Sequence, residues 1–84
     1  MPRNRDREKR AIVRRDGSAC FYCGRPRRNP LVMSIEHLVP RAAGGASQLE
    51  NLRLADTLCN KFAGRRPVAD KLELRAKWHM AEGL

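Results

Sequence analysis

The fold is decided by residues 31–63, which read LVMSIEHLVPRAAGGASQLENLRLADTLCNKFA. Val and Ile in a short apolar run favour a strand, while small residues with two glycines favour a loop. Asp56 and Gly64 are typical of a helix N-cap and a helix stop. We predict four elements in chain order: a strand over 31–35, a loop over 41–47, a second strand over 52–55 and a helix over 56–63. Two strands followed by a helix indicate a small α+β unit.

A further helix is predicted on each side of this unit. Residues 3–15 are rich in good helix formers and carry a short apolar face at 12–13. Pro67 is typical of a helix start and opens a helix over about 67–81. The residues of this helix that we predict to face the core are Leu72, Leu74 and Trp78. A chain of 84 residues is too short for two domains, so we expect a single domain over 1–84.

The composition is strongly basic. The chain has 18 lysines and arginines against nine aspartates and glutamates, a net charge of +9 and an isoelectric point near 10.8. This charge indicates a polyanionic partner, and an aromatic content of only 5% favours duplex phosphates over stacked single-stranded bases. No apolar run approaches the length of a membrane span, and the N-terminus lacks the apolar core of a secretory signal. We therefore expect a cytoplasmic protein with no membrane partner.

Two groups of basic residues are candidates for the nucleic-acid contact. We predict that the first group binds nucleic acid: Arg25, Arg27, Arg28, Arg41, Lys61, Arg65 and Arg66. The second group lies on the predicted N-terminal helix: Arg3, Arg5, Arg7, Lys9, Arg10, Arg14 and Arg15. Two interpretations of this helix stay open, a phosphate-contacting surface and a solvated charged face.

Three cysteines indicate a metal site more than a disulfide framework, because their count is odd. Cys20 and Cys23 form a C-x2-C pair, which is typical of a redox dithiol or of a metal-binding knuckle. Gly24 and Pro26 follow directly and favour the knuckle, since both residues are common in turns.

A series of polar motifs follows the cysteine pair. His37 comes directly after Glu36, Asn51 lies 14 residues further on, and Asn60 lies 9 residues after that. The order and spacing of these motifs resemble the HNH nucleases, the ββα-metal nuclease family. The matching stretches are C-x2-C at 20–23, EHLVP at 36–40, GG at 44–45, ENLRL at 50–54 and CN at 59–60.

This resemblance implies a small ββα-metal (HNH) fold with a two-stranded hairpin, a zinc knuckle and flanking N- and C-terminal helices. It implies His37 as the general base and Asn51 as the residue that orients the loop and the base. Glu36 and Asn60 are implied as the ligands of a catalytic Mg²⁺ or Mn²⁺. They stand where Asp and His are more common in the family, and their oxygen donors favour hard cations.

The Cys-rich branch of the family adds a structural zinc. The resemblance implies zinc at Cys20, Cys23 and Cys59, with Asp56 where a fourth Cys or His is usual. Two interpretations of Asp56 stay open, because a carboxylate can bind zinc and can equally cap a helix. His79 is a rival fourth ligand.

We therefore predict a metal-dependent endonuclease that hydrolyses DNA phosphodiester bonds. The alternative is a zinc-stabilised nucleic-acid-binding module in which the nuclease site is vestigial. The expected partner is DNA, double-stranded, and a larger phage packaging or restriction machine is a further candidate partner.

Overall fold

The computed structural model describes residues 5–82, in which helices flank a two-stranded antiparallel hairpin. The helices and strands are α1 (Arg5–Asp16), β1 (Ser34–His37), β2 (Leu52–Ala55), α2 (Thr57–Ala63) and α3 (Val68–Glu82). The predicted α+β class and the order of the elements are confirmed. Arg3 and Asn4, the first two residues of the predicted N-terminal helix, lie outside the described residues.

The first strand begins three residues later than predicted. Pro30–Val32 forms a 3-10 turn instead, and Asn29 Oδ1 accepts a hydrogen bond of 3.2 Å from the N–H of Leu31. An Asn before a Pro is a local start signal for a helical turn, and here it outweighs the strand preference of the apolar residues that follow. β1 ends at His37, so Glu36 and His37 are both strand residues.

The register of the hairpin places Glu36 and His37 at the end of β1. The paired residues are Ser34 with Ala55, Ile35 with Leu54, Glu36 with Arg53, and His37 with Leu52. Just beyond the last pair, the N–H of Leu38 donates to the backbone oxygen of Asn51 over 2.9 Å. This bond closes the loop between the two strands.

The core contains residues from α1, the hairpin and α2. Its buried apolar residues are Ile12, Cys20, Tyr22, Met33, Leu52, Leu54, Ala55 and Ala63. Leu74 and Trp78 pack against this cluster as predicted, but the prediction for Leu72 is wrong, because it is 47% exposed. Positions 71, 74 and 78 share one face of α3, and Leu72 lies off that face. The first of these positions is occupied by Lys71, which is fully buried.

The segment between α1 and β1 contains a tight turn that carries the first two cysteines. The N–H of Cys20 donates to the oxygen of Arg25 over 3.0 Å, and the N–H of Gly24 donates to the oxygen of Cys20 over 2.9 Å. Gly24 has a φ of +75°, which glycine adopts without strain. Phe21 donates its N–H to the oxygen of Leu54 over 2.8 Å, which attaches the turn to β2. This is a knuckle turn and not the helix start of a redox dithiol.

Candidate functional site

Four side chains that can bind a metal meet between the knuckle turn and the start of α2. They are Cys20, Cys23, Asp56 and Cys59, and their ligand atoms all lie within 4.8 Å of one another. The Cys23 sulfur lies 3.6 Å from Asp56 Oδ2. Around a tetrahedral zinc two sulfurs lie about 3.8 Å apart, and a sulfur and a carboxylate oxygen about 3.5 Å apart. The group could therefore hold a zinc-like ion after small side-chain shifts.

Asp56 directs its carboxylate to the cysteines and not to the helix. It occupies the N-cap position of α2, but its side chain makes no capping hydrogen bond. Its Oδ1 accepts a hydrogen bond of 2.7 Å from Arg27 Nε, and this contact is the main reason why the pKa of Asp56 is lowered. His79 lies outside the group, and its Nε2 donates to the backbone oxygen of Phe21 over 3.2 Å.

Two thiols of this group, Cys23 and Cys59, hold their protons when no metal is bound. Burial raises the pKa of the Cys23 thiol, and it raises the pKa of Cys59 to about 12. Because the thiolate is the form that binds a metal, an incoming ion must displace these protons. Metal binding at the group is therefore linked to pH.

A second group of polar side chains surrounds the end of β1. A cavity of about 290 Å³ opens there, and its lining includes Glu36, His37, Arg41, Asn60 and Arg65. The Nδ2 of Asn60 donates to the backbone oxygen of Ile35 over 3.2 Å. This bond fixes the orientation of the amide and leaves its Oδ1 as the group that suits a hard cation. The cavity thus joins residues of β1 and α2 that lie far apart in the sequence.

Glu36 is held by two buried donors. It is only 4% exposed, and its Oε2 accepts a hydrogen bond from the hydroxyl of Tyr22 and lies 3.3 Å from Lys71 Nζ. Lys71 also donates to the backbone oxygen of His37 over 2.7 Å. Burial and the hydrogen bond to Glu36 raise the pKa of Tyr22, so its hydroxyl stays a donor. With Oε2 held in this way, Oε1 is the carboxylate oxygen that suits a cation.

The loop between the strands positions a partner for His37. His37 Nε2 lies 3.1 Å from Ser47 Oγ. Asn51 holds this loop through three hydrogen bonds: its Oδ1 accepts from the N–H of Val39 at 2.8 Å, and its Nδ2 donates to the oxygens of Val39 at 3.1 Å and Ala46 at 2.9 Å. Asn51 therefore closes the loop against the end of β1.

Comparison with known families agrees with this geometry. A family model described as HNH endonuclease matches residues 20–66, which is more than half of the chain. The chain belongs to the HNH endonuclease family. The matched segment begins at the first cysteine and ends after α2, so it covers both groups of polar side chains. The curated proteins contain no match to the chain. Within residues 5–82 of this HNH protein, no helix has the length and apolar character needed to cross a membrane.

Four of the seven predicted nucleic-acid-binding residues of this HNH domain line two different cavities. Two of the seven line the cavity at the end of β1: Arg41 and Arg65. Two others lie beside the cysteine group: Arg25 and Arg27. The remaining three line neither of these places: Arg28, Lys61 and Arg66. Arg66 instead donates to the backbone oxygen of Phe62 and stacks on that ring, 4.8 Å from its centroid.

Three residues that contact Glu36 or His37 were not predicted from the sequence. Lys71 carried one signal, since it stands at helical spacing from the inward-facing Leu74 and Trp78. Tyr22 lies inside the C-x2-C motif, and only the two cysteines of that motif were interpreted from the sequence. Ser47 stands in a loop of small residues, and nothing in its neighbours indicates a contact with a histidine 10 positions away.

Proposed function

We propose that the chain is a metal-dependent endonuclease that hydrolyses phosphodiester bonds of double-stranded DNA, with His37 as the general base. The observation that carries this proposal is the cavity in which Glu36, His37 and Asn60 converge. Membership of the HNH endonuclease family supports a nucleic-acid substrate. The net charge of +9 and the low aromatic content support a duplex.

His37 would accept the proton of the attacking water. When Nε2 donates to Ser47, the lone pair of the imidazole is on Nδ1. Nδ1 then takes a proton from water while the water oxygen bonds to phosphorus, and the bond from phosphorus to the 3′ oxygen breaks. Imidazole is the side chain that most often serves as a general base in enzymes and suits this step.

Glu36 and Asn60 fit a hard divalent cation, Mg²⁺ or Mn²⁺. Their free donors are a carboxylate oxygen and an amide oxygen, which are the ligand types these ions prefer. Such an ion supplies charge stabilisation to the phosphate and to the leaving 3′ oxygen. Lys71 acts on the same site as a positioning residue, because it holds the side chain of Glu36 and the backbone of His37 together.

Arg41 and Arg65 would bind the phosphate at the cavity. Both line it from opposite ends of the motif, one after β1 and one after α2. Forked guanidinium donors match phosphate oxygens, so this pair can hold the scissile strand in front of His37. A sequence preference would come from a larger DNA-processing machine that binds this domain, such as a phage packaging or restriction system.

The cysteine group would hold a structural zinc. Cys20 and Cys23 come from the knuckle, while Asp56 and Cys59 come from the start of α2, so one ion would join the two segments. A domain of this size has a small core and gains folding energy from a bound metal. Because α2 also carries Asn60, the zinc would stabilise the helix that completes the active site.

Nicking of supercoiled plasmid with Mg²⁺ or Mn²⁺ tests the proposed function. His37→Ala should lower the rate by about 10²–10⁴, because it removes the general base but no basic side chain. His79→Gln is the matched control, since it changes the other histidine, which lies outside the cavity at the end of β1. If the unsubstituted, zinc-loaded protein binds duplex DNA but never cuts it, the chain is a binding module with a vestigial site.

A further inference from the structure

Two arginines stack on one aromatic ring at a separate cavity. The guanidinium carbon of Arg53 on β2 lies 5.7 Å from the centroid of Phe21, and that of Arg75 on α3 lies 4.8 Å from it. Both line a cavity of about 320 Å³, distinct from the one that contains His37. Stacking uses the flat face of a guanidinium and leaves its N–H edge for hydrogen bonds. Arg53 Nη1 already donates to the backbone oxygens of Glu50 at 3.0 Å and Leu52 at 2.8 Å, so the donors that Arg53 offers to a ligand are Nε and Nη2.

Positive charge at this cavity exceeds the negative charge beside it. Asp16 also lines the cavity, but Arg15 already engages both of its carboxylate oxygens at 2.7 Å. Within the described part of the chain, no carboxylate forms an ion pair with Arg53 or Arg75. Burial, followed by repulsion from Arg15 and Arg75, lowers the pKa of Arg53. An anion bound in this cavity, which both arginines line, would relieve this repulsion.

The hairpin register relates the cavity to the proposed active site. Arg53 is paired with Glu36, and its neighbour Leu52 is paired with His37. Opposed residues of an antiparallel pair have Cα atoms about 4.5–5.5 Å apart. Arg53 therefore lies on the strand that pairs with β1, and Arg75 stacks on the same Phe21 ring from α3. A nucleic acid that occupies the proposed active site can extend to both arginines.

We propose that Arg53 and Arg75 form a second phosphate site, which binds a backbone phosphate of the nucleic-acid substrate other than the scissile one. Arginine matches phosphate because its fork donates two parallel hydrogen bonds. Phe21 orients both forks by stacking. This proposal rests on the proposed function only in taking a nucleic acid as the substrate, and it does not depend on cleavage.

Duplex binding across a salt series tests the site. The probe is a short fluorescent duplex, titrated with zinc-loaded protein without Mg²⁺ or Mn²⁺ and followed by anisotropy. Arg75→Gln should make the slope of log K against log salt shallower by about 0.9, the value of one lost phosphate contact. Between about 50 and 200 mM salt, the fold-increase in Kd should then be about 3.5 times smaller than the fold-increase for the unsubstituted protein. Arg75→Lys keeps the charge and should keep the slope.

Lys77→Gln is the matched control. Lys77 stands on the same helix, its side chain is 69% exposed, and it pairs with Glu73 at 3.5 Å. Its loss removes one positive charge from α3 without removing the proposed contact, so the slope should not change. A slope for Arg75→Gln equal to that of Lys77→Gln would overturn the proposal.

Two further measurements separate the remaining explanations. Arg53→Gln should make the slope of log K against log salt shallower, as Arg75→Gln does. Far-ultraviolet circular dichroism and the zinc content show whether each variant is folded. Inorganic phosphate is the second probe: if it binds in an Arg75-dependent way while the duplex slope is unchanged, the site serves free anions and the proposal is wrong. Absence of cleavage with normal duplex binding would overturn the proposed function alone.

Discussion

Replacing Lys71 with methionine should destabilise the protein and slow cleavage, because it removes the cation that faces Glu36 in the interior. Lys71 is fully buried, the side chain of Glu36 is 5% exposed, and 3.3 Å separate Nζ from Oε2. Methionine is similar in length and volume, so the substitution removes a charge and a donor while leaving little empty space. The backbone oxygen of His37 loses its donor in the same step.

The cost follows from the loss of one partner of a buried pair. Such a loss is about 3–5 kcal/mol, because it leaves an unpaired charge in the interior. For a domain of this size it corresponds to a fall in Tm of roughly 12–40 °C.

Thermal unfolding followed by circular dichroism, with the same excess of zinc for each protein, measures this effect. The double variant Lys71→Met/Glu36→Gln is the matched control, because it leaves no buried charge. It should regain most of the lost stability and stay inactive, since an amide replaces the carboxylate ligand. A Lys71→Met protein that melts within about 2 °C of the parent would refute the reasoning.

The other predictions concern the two metal sites. Asn60→Ala should raise the Mg²⁺ concentration for half-maximal plasmid cleavage about tenfold or more while the duplex Kd stays within about twofold, because an oxygen ligand is lost and no basic residue changes. A matching loss of duplex affinity would contradict a ligand role for Asn60. Asp56→Asn should weaken zinc binding and Asp56→His should keep it, since imidazole is a good zinc ligand and an amide a poor one. Elemental analysis of the purified proteins measures their zinc content. Equal zinc content in the unsubstituted protein, Asp56→Asn and Asp56→His would exclude Asp56 as a ligand. Zinc affinity should fall by about a hundredfold or more per pH unit as the pH is lowered near neutrality, because burial raises the pKa of Cys23 and Cys59 and each of these two thiols must lose a proton on binding. Competition with a chromophoric chelator across this range checks the slope, and an affinity independent of pH would mean that these thiols stay protonated.

The convergence of Glu36, His37 and Asn60 on one cavity was implied by the resemblance to the HNH nucleases, which rests on motif order and spacing. A hairpin followed directly by a helix has few arrangements, so motif order and spacing nearly determine which residues meet. The start of β1 was mispredicted for an equally local reason. Asn29 and Pro30 favour a helical turn, and this preference competes with the strand preference of the apolar residues that follow.

Residue type and spacing in the sequence by itself determined the hairpin, the following helix, the cysteine group and the resemblance to the HNH nucleases. Only the tertiary structure decided that Lys71 is buried against Glu36 and that Arg53 and Arg75 both stack on Phe21. A lysine or arginine on a helix is usually exposed, and its sequence neighbours do not change that expectation. Burial and ion pairing arise here because α3 packs against the knuckle and the hairpin, which precede it by many residues in the chain. The free energy of these contacts depends on distances and desolvation across separate elements, and neither quantity exists until those elements have packed together.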